Sequence, residues 1–460
     1  MFGCEYRIDE QVESMHDERG TPETPTLADA VRAEDRQVLA RVAAAPIIPL
    51  NNNLVSRPWG GQRLCAHKGL PSTPHQRWGE AFEICAFSED EEARAHPSII
   101  RLTDGSEVDL PELLAVAGAA ILGEDFVATH GCQLPLLPKM LDVGELLSVQ
   151  AHPEGFTEAY IIIEADEGAT IRLGFKRDVD PADLGQRLKG GRQLQQRLLD
   201  YLRDGVDLEA LQATLASNFA RRAVLADAVL PALESFLQTG ANRKVVETLR
   251  TLKELYWEVL DLLNEISVTP GQVIYNANPE AVSAATGRPR SAEVHALGNP
   301  QGKEILALEI RRPGPTFRAW DHVRFPLRPI DVDKTLDALN LRATRPADFI
   351  VTPRPLAGCP GVFRSVQSEW FVVDHLRPRP EAVVGLPAGT PMHTLHAVRG
   401  TVELRTADDR TLASLTRGQS ALIPVTIGSY RLATADGDAE VVMVTIPPST
   451  AVQTRGGRAS

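Results

Sequence analysis

The chain has 460 residues, a net charge of −13, 43% hydrophobic and 24% charged residues, which is ordinary for a globular protein of two or three domains. The acidic balance argues against binding a phosphate backbone, so we expect no nucleic-acid partner. No apolar run reaches the roughly 18–20 residues that span a bilayer, so we expect no membrane association.

The cysteine pattern and the N-terminal sequence both favour a cytoplasmic protein. Five cysteines are scattered without C-x-x-C spacing, as is usual for reduced thiols. Residues 1–10 lack the basic start and apolar core of a signal peptide, so we expect a cytoplasmic protein. There is neither a Walker A sequence nor G-x-G-x-x-G, so no nucleotide cofactor is indicated.

In chain order, a polar tail to about residue 26 and a helix over Ala28–Ala45 come first. Residues 46–175 contain short apolar runs broken by glycine, proline and asparagine, a pattern typical of a β-sandwich or barrel. The predicted strands are Ala81–Ala86, Leu146–Ala151, Ala159–Glu164 and Thr170–Phe175.

Residues 180–264 carry leucines at helical spacing and predict an insert of about four helices packed against the sheet. Strand character returns at Ile266–Ala277 and Glu304–Ile310, and a helix is predicted over Asp333–Leu341. The last part is again strand-rich, and its predicted strands are Trp370–Asp374, His396–Thr406, Ser420–Pro424 and Val441–Ile446.

Gln150 and His152 are two residues apart, so on one strand their side chains share a face. Glu158 opens the next apolar run, which a tight connection could bring beside them. His295 precedes a later apolar strand. An amide oxygen, two imidazoles and a carboxylate suit zinc or a similar divalent ion. A lone histidine on an apolar strand, however, is more often a packed core residue than a ligand.

Four segments resemble one known family. Residues 134–153, LPLLPKMLDVGELLSVQAHP, are similar to the characteristic sequence of type I mannose-6-phosphate isomerases, which are cupin-fold zinc enzymes. Three further segments, in the expected order, resemble the family's W-G-G, G-E-S-W-E and E-I…T-Y-R-x-Y-D-W-x-R elements. They are Arg57–Gly61, Trp78–Ile84 and Glu309–Arg324.

The resemblance implies a mainly β fold with two cupin-type β-sandwich or jelly-roll domains and a helical insert. We expect a tail and helix at 1–45, a metal-binding cupin at 46–178 and 266–332, an insert at 179–265, and a degenerate cupin at 333–460. In the last domain His393 and His396 are three apart and would face opposite sides of a strand. We therefore interpret it as a packing domain without metal.

The same resemblance implies the site. One zinc ion per chain would be held by Gln150, His152, Glu158 and His295. Arg318 matches the family's active-site arginine and Lys139 its F-x-K-x-L lysine, so both are expected to be catalytic. Substrate contacts are expected from Ser148, Asp321 and Arg324, and Arg318 and Arg324 would share a strand face. A phosphorylated sugar is the expected partner, and the chain should be a monomer or a weak homo-oligomer.

The implied activity is interconversion of mannose 6-phosphate and fructose 6-phosphate through an enediol(ate). Many members have lysine two residues before the metal glutamate, where this chain has Phe156. The first alternative is therefore a non-catalytic sugar-phosphate-binding or regulatory cupin. The second is a cupin oxygenase with the two histidines and Glu158 as a facial triad, in which Gln150 and the arginine strand have no role.

Overall fold

The computed structural model describes residues 25–50, 53–72, 76–87, 89–153, 155–202, 242–277, 292–321, 330–435 and 437–447. These residues form mainly antiparallel β-sheets with flanking helices, as the sequence predicted. Strands and helices are numbered in chain order. The first β-unit is defined by a seven-stranded and a five-stranded sheet, and the second by a six-stranded and a four-stranded sheet.

The seven-stranded sheet has β12 (Ile305–Arg311) near its centre, with β5 (Lys139–Val143) on one side and β7 (Glu158–Ala165) on the other. Alternate residues face opposite ways, so Glu158 and Tyr160 share the inner face with Lys139 and Glu309. Its strands, in spatial order, are β1 (Leu54–Gly61), β2 (Trp78–Phe82), β5 (Lys139–Val143), β12 (Ile305–Arg311), β7 (Glu158–Ala165), β10 (Val273–Asn276) and β14 (Ile350–Val351).

The five-stranded sheet faces that inner side. Gln150 lies opposite His295 on one neighbouring strand and opposite Arg318 on the other. Apolar residues of both sheets, among them Ile162 and Leu173, fill the space between them. The strands are β13 (Phe317–Trp320), β6 (Val149–Ala151), β11 (His295–Ala296), β8 (Thr170–Phe175) and β9 (Leu263–Ser267).

The second β-unit encloses its own core, which includes Leu395 and Leu432. The six-stranded sheet contains β15 (Arg354–Pro355), β16 (Val362–Gln367), β17 (Val372–Leu376), β24 (Glu440–Thr445), β19 (His393–Arg399) and β22 (Ser420–Ile423). The four-stranded sheet contains β18 (Val384–Leu386), β23 (Tyr430–Ala433), β20 (Thr401–Thr406) and β21 (Thr411–Thr416).

The two β-units meet through the outer faces of their larger sheets. Valines such as Val373 and Val442 join Ile161 and Leu308 in one apolar cluster. A buried polar chain crosses the same seam. Lys68 Nζ lies 2.8 Å from a Glu83 carboxylate oxygen, and the Ser420 hydroxyl donates to Glu83 at 2.7 Å. His396 Nδ1 contacts that hydroxyl at 2.8 Å, and His393 instead contacts Tyr430.

The helices differ from the predicted ones in two places. Instead of one helix over 28–45, the chain forms α1 (Leu27–Arg32) and α2 (Arg36–Ala43). The break lies at Glu34, whose φ is 57°, and Asp35 caps the second helix through the backbone N–H groups of Gln37 and Val38. The predicted tail before residue 25 lies outside the described residues.

The region 46–175 also contains helices that the sequence analysis missed, because it was interpreted as strands throughout. A 13-residue helix begins at Leu110, with Pro111 in its first turn, and its apolar face packs in the core between the units. The helices are α3 (Arg63–His67), α4 (Glu91–Ala95), α5 (Leu110–Leu122) and α6 (Glu124–His130), with a separate two-stranded sheet of β3 (Ile99–Arg101) and β4 (Glu107–Asp109).

Two of the predicted strands are each divided into two strands in the structure. The expected strand 266–277 is two strands, β9 and β10, separated by a turn at Gly271, whose φ is 84°. The expected strand 396–406 likewise becomes β19 and β20, with Gly400 at φ 69° between them. Glycine tolerates this left-handed conformation without steric cost.

The described part of the helical insert consists of α7 (Pro181–Leu202) and α8 (Asn242–Leu260), and the rest of the predicted insert lies outside the described residues. Its leucines pack against the five-stranded sheet, as predicted. Gly191 allows α7 to approach β13, because a Cβ there would lie 1.5 Å from the Trp320 ring. None of the described helices is long and apolar enough to span a membrane.

The link between the β-units contains α9 (Val332–Ala338) and a 3₁₀ turn (Pro346–Asp348) before β14. Ile350 and Val351 still pair with β10 of the first unit. We therefore propose that the domain boundary lies after Val351 instead of near residue 333, and the other expected bounds stay predictions.

Candidate metal centre and active-site cleft

Three of the four predicted metal ligands converge at one buried point. A ligand atom from each of His152, Glu158 and His295 lies within 4.8 Å of the others. His152 Nε2 is 2.9 Å from Glu158 Oε1, and His295 Nε2 is 3.3 Å from Glu158 Oε2. The residues reach this point because β6 and β11 pair directly, while Glu158 opens β7 on the facing sheet.

The second nitrogen of each imidazole is held by a backbone carbonyl. Nδ1 of His152 lies 3.1 Å from the carbonyl oxygen of Pro315, and Nδ1 of His295 lies 3.0 Å from that of Glu293. Nδ1 of His295 also lies 3.2 Å from Asn276 Nδ2. A carbonyl can only accept a hydrogen bond, so a neutral His152 carries its proton on Nδ1 and keeps the Nε2 lone pair. This is the tautomer that a metal-binding histidine needs.

The chemistry of this donor set fits a divalent cation. His152 Nε2 is buried, and among the described residues it has no hydrogen bond of suitable direction, although the Glu158 carboxylate is close. An unsatisfied buried nitrogen is costly, and a cation between it and the carboxylate would remove that cost. Two neutral imidazoles and one carboxylate are usual ligands of zinc.

Glu158 is 1% exposed and is held as a carboxylate. Burial alone would raise its pKa, but His152 and His295 outweigh burial and hold the pKa of Glu158 well below its usual range. Its Oε2 accepts hydrogen bonds from the Tyr160 hydroxyl and from Asn276 Nδ2. Burial, followed by the nearby Glu158 charge, raises the pKa of Tyr160 well above normal, so the phenol stays protonated as a donor.

Asn276 is a positioning residue that the sequence analysis did not assign. It is fully buried, and its Oδ1 accepts from the Glu293 backbone N–H at 2.8 Å, while its Nδ2 lies 3.4 Å from Glu158 Oε2. It thus joins β10 to the segment that carries His295. The sequence signal for Asn276 is that Asn276–Pro279 resembles the A-N-E-P-H-A segment of larger family members, without its histidine.

Gln150, the fourth predicted ligand, lines the cleft beside this cluster. Its Nε2 donates to the Ser148 hydroxyl at 2.9 Å. That bond fixes the amide so that Oε1, the atom able to bind a cation, is the free end. Ser148 is 1% exposed and is not among the residues that line the cleft, so its observed contact is with Gln150.

Phe156 forms one wall of the site. It is 3% exposed. Its ring stacks on the His152 imidazole with centroids 4.2 Å apart and planes 12° apart, and Arg311 Cζ lies 4.9 Å from the Phe156 ring centroid. The position where many relatives are expected to carry lysine therefore holds a packing residue that restricts the rotation of His152.

A cleft opens next to the ligand cluster, between the two sheets of the first β-unit. Most of its polar lining is charged, with basic and acidic side chains in close contact. It is lined by Arg57, Trp59, Glu80, Glu92, Lys139, Leu141, Leu147, Gln150, Tyr160, His295, Leu297, Glu309, Arg311, Thr316 and Arg318.

Lys139 lies on the floor of this cleft, 3% exposed, with Nζ 3.0 Å from Glu92 and 3.9 Å from Glu80. Burial alone would lower its pKa, but the two carboxylates outweigh burial and raise the pKa of Lys139, so it stays an ammonium. Arg318 lines the same cleft from β13. The two residues predicted to be catalytic are therefore on the cleft.

One predicted substrate contact lies away from the cleft, and another is outside the described residues. Asp321 is buried at the end of β13, outside the residues that line the cleft, and its backbone carbonyl accepts a hydrogen bond from Gln195 at 3.1 Å. Arg324 lies outside the described residues, so its shared face with Arg318 stays a prediction.

Glu309 is the cleft residue that sequence reasoning named only as part of a motif. It is buried on β12, opposite Lys139 and Tyr160. Burial, followed by the negative charge of Glu158, raises the pKa of Glu309 to about 8. The period-two alternation of Ile305–Arg311 could have indicated that Glu309 faces the site. A carboxyl group that gains and loses a proton near neutral pH is suited to acid–base chemistry.

The comparisons with known proteins agree with this geometry. Residues 50–168 match the family model of the phosphomannose isomerase type I catalytic domain. A curated mannose-6-phosphate isomerase from Streptococcus mutans serotype c is 32% identical over 139 residues, which cover 27% of this chain and 39% of that protein. The sequence match thus spans about two fifths of the length of that relative.

Solved structures share the overall fold over most of the chain. The mannose 6-phosphate isomerase from Bacillus subtilis has a TM-score of 0.57 at 19% identity, covering 87% of this chain and 100% of that one. An arginine-to-alanine variant of phosphomannose isomerase from Salmonella typhimurium has a TM-score of 0.56 at 17% identity, covering 87% and 99%. A zinc-bound mannose 6-phosphate isomerase has the same score and coverage at 17% identity.

The fold and the ligand cluster define a protein of cupin-type β-domains with a helical insert and a candidate metal site. The resemblance to the type I phosphomannose isomerase family, predicted from the sequence, is confirmed over residues 50–168, which match the model of its catalytic domain.

Proposed function

We propose that the protein is a zinc-dependent aldose–ketose isomerase that interconverts mannose 6-phosphate and fructose 6-phosphate. The observation that carries this proposal is the buried cluster of His152, Glu158 and His295 beside a cleft lined by Lys139 and Arg318. Such a site can bind a cation, a sugar and an anionic group together. The zinc-bound solved relative supports the choice of zinc, and the single cluster of His152, Glu158 and His295 among the described residues supports one ion per chain.

A divalent metal held by His152, Glu158, His295 and Gln150 would supply Lewis-acid polarisation of the sugar carbonyl and positive charge beside its oxygens. The protein groups supply the rest. His152, Glu158, His295 and Gln150 hold the metal. Glu309 is our choice for the group that carries the proton between C1 and C2, because it lines the cleft from β12 opposite Lys139 and Tyr160 and burial raises its pKa.

The cleft cations bind the anionic end of the substrate and orient the reacting end. Arg318 projects from the five-stranded sheet and Lys139 from the facing sheet. Binding energy from a remote phosphate lowers the entropic cost of placing C1 and C2 beside the acid–base group. Neither residue needs to move a proton in this account, and Lys139 in particular is held protonated by its carboxylate neighbours.

A coupled assay of mannose 6-phosphate conversion tests the proposal directly. The protein is stripped with a chelator, assayed, reloaded with zinc and assayed again. Turnover that returns with zinc supports the isomerase. Zinc binding without turnover on a panel of aldose phosphates would instead favour a non-catalytic sugar-phosphate-binding protein, for which Phe156 in place of lysine is the motivating observation.

Glu309→Gln separates the proton-transfer role from metal binding. We expect turnover to fall about 10²–10⁴-fold, the usual contribution of a positioned acid–base group, while zinc content stays at one ion per chain. Loss of zinc together with turnover would show that Glu309 acts by supporting the metal site. Full turnover would eliminate it as the proton carrier.

A further inference from the structure

Glu92 lies at the exposed side of the cleft, on the short helix α4. Its carboxylate contacts two cations at once: Oε2 is 3.0 Å from Lys139 Nζ, and Oε1 is in direct contact with Arg57 Nη2. The Glu92 side chain is 39% exposed, whereas that of Lys139 is 3% exposed. Glu92 therefore covers two cleft cations from the solvent side.

The charges in this group cancel as the structure has them. Arg57 and Lys139 supply two positive charges, and Glu80 and Glu92 supply two negative ones. Glu80 lies on β2 with its side chain 11% exposed, 2.6 Å from Arg57 and 3.9 Å from Lys139. An anion that approaches these two cations meets a neutral group as long as Glu92 stays in place.

We propose that Glu92 is a displaceable counter-ion whose place on Arg57 and Lys139 is taken by the phosphate of the substrate. Glu92 is thus a specificity-determining residue that selects for an anionic sugar. The inference rests on the proposed function and names which groups receive the phosphate. When the Glu92 side chain rotates away, Glu80 neutralises only one of the two cations, and a net positive charge faces the ligand.

Glu92 is the carboxylate able to leave, for two reasons. The Glu92 side chain is 39% exposed and that of Glu80 is 11% exposed, so water can solvate the Glu92 carboxylate when it leaves the two cations. The α4 backbone, moreover, is held independently of the Glu92 side chain. Asp90 caps the helix through the Ala93 N–H at 2.9 Å and also accepts from the Gly314 N–H at 3.1 Å. Only the side chain has to rotate.

The displacement is also electrostatically reasonable. The two cations lower the pKa of Glu92 to about 2 against the opposing effect of burial. The carboxylate is thus charged at any working pH and competes as a single negative charge. A phosphate dianion brings more charge and more acceptor oxygens to the same two donors, so it can replace one carboxylate.

The test compares Glu92→Gln with Glu91→Gln, which makes the same charge change one residue away on an exposed side chain. Inorganic phosphate is titrated calorimetrically into the zinc-loaded full-length protein. We expect Glu92→Gln to bind phosphate about fivefold more tightly than wild type, the scale of one partly exposed ion pair. Glu91→Gln should match wild type, and the KM for mannose 6-phosphate should fall only in Glu92→Gln.

Equal phosphate affinity in Glu92→Gln and Glu91→Gln would overturn the inference. Glu92→Asp is the second variant, because it keeps the charge but withdraws it by one methylene. The phosphate affinity of Glu92→Asp should lie between those of wild type and Glu92→Gln, and an affinity equal to wild type would count against displacement. The titration needs no turnover. Tighter phosphate binding in a protein without isomerase activity would refute the proposed function and leave the role of Glu92 standing.

Discussion

The Phe156 ring allows the metal site to be tested without touching a ligand. The ring stacks on His152 at 4.2 Å and carries Arg311 Cζ 4.9 Å from its centroid. Phe156→Leu keeps an apolar side chain in the buried position but removes the flat surface against which the imidazole rests. We expect His152 to gain rotational freedom and zinc affinity to fall.

The size of the effect follows from these contacts. An aromatic ring pair contributes about 0.5–1.5 kcal/mol beyond its buried area, and a desolvated cation–π contact adds about 0.5–2 kcal/mol. Phe156→Leu should therefore lower the free energy of unfolding by about 1–3 kcal/mol. Groups that orient metal ligands typically change metal affinity by about 10–100-fold. Phe156→Ala would cost about 3–5 kcal/mol, a large share of a typical domain's stability, so leucine is the better probe.

The assay is competition for zinc against a chromophoric chelator, with urea unfolding measured with and without zinc. Phe371→Leu is the matched control, since Phe371 is also fully buried but lies in the cluster between the two β-units. Both variants should lose stability, and only Phe156→Leu should lose zinc affinity. Equal zinc affinity in the two variants would refute the idea that the ring holds His152.

Three further predictions concern the site and the seam between the units. Ser148→Ala should weaken zinc binding by about tenfold, because the Gln150 amide loses its hydrogen bond, and the same chelator competition would measure it. The pKa of Glu309 is about 8 in the folded chain, whereas that of an unfolded glutamate is near 4.3. Between these two pH values only the folded chain holds the proton, so the free energy of unfolding falls as the pH rises through about 8. In zinc-free protein Glu309→Gln should flatten that decline in urea unfolding from about pH 5 to 9, and an unchanged slope would contradict the assignment. Lys68→Met leaves the Glu83 carboxylate buried without its cation and should cost about 3–5 kcal/mol, most of it recovered by also changing Glu83 to Gln.

The candidate metal ligands were predictable because their signals are mostly local. Gln150 and His152 depend on the two-residue repeat of a strand, and that repeat survives in the folded chain as β6 and the residue after it. Glu158 depends on the start of an apolar run, which is where β7 begins. His295 came from the resemblance of its downstream sequence, and the structure brings it opposite Gln150.

The missed features depend on contacts between residues far apart in the chain. The raised pKa of Glu309 arises from burial and from Glu158, which lies on a neighbouring strand of the folded sheet. The helix Leu110–Leu122, by contrast, had local signals, since an apolar run of 13 residues favours a helix over a strand and Pro111 lies in its first turn. The hydrogen bond of Ser148 to Gln150 needed side-chain directions that strand alternation alone does not give.

The Asn276 side chain holds together the two ends of the connection between β10 and the segment that carries His295. Its Oδ1 accepts a hydrogen bond from the Glu293 backbone N–H at 2.8 Å, so the first and last residues of this connection are bonded to each other. We therefore expect the connection between Asn276 and Glu293 to tolerate changes of length while His295 keeps its place opposite Gln150. For protein engineering, these two residues mark the ends at which another connecting segment would be joined.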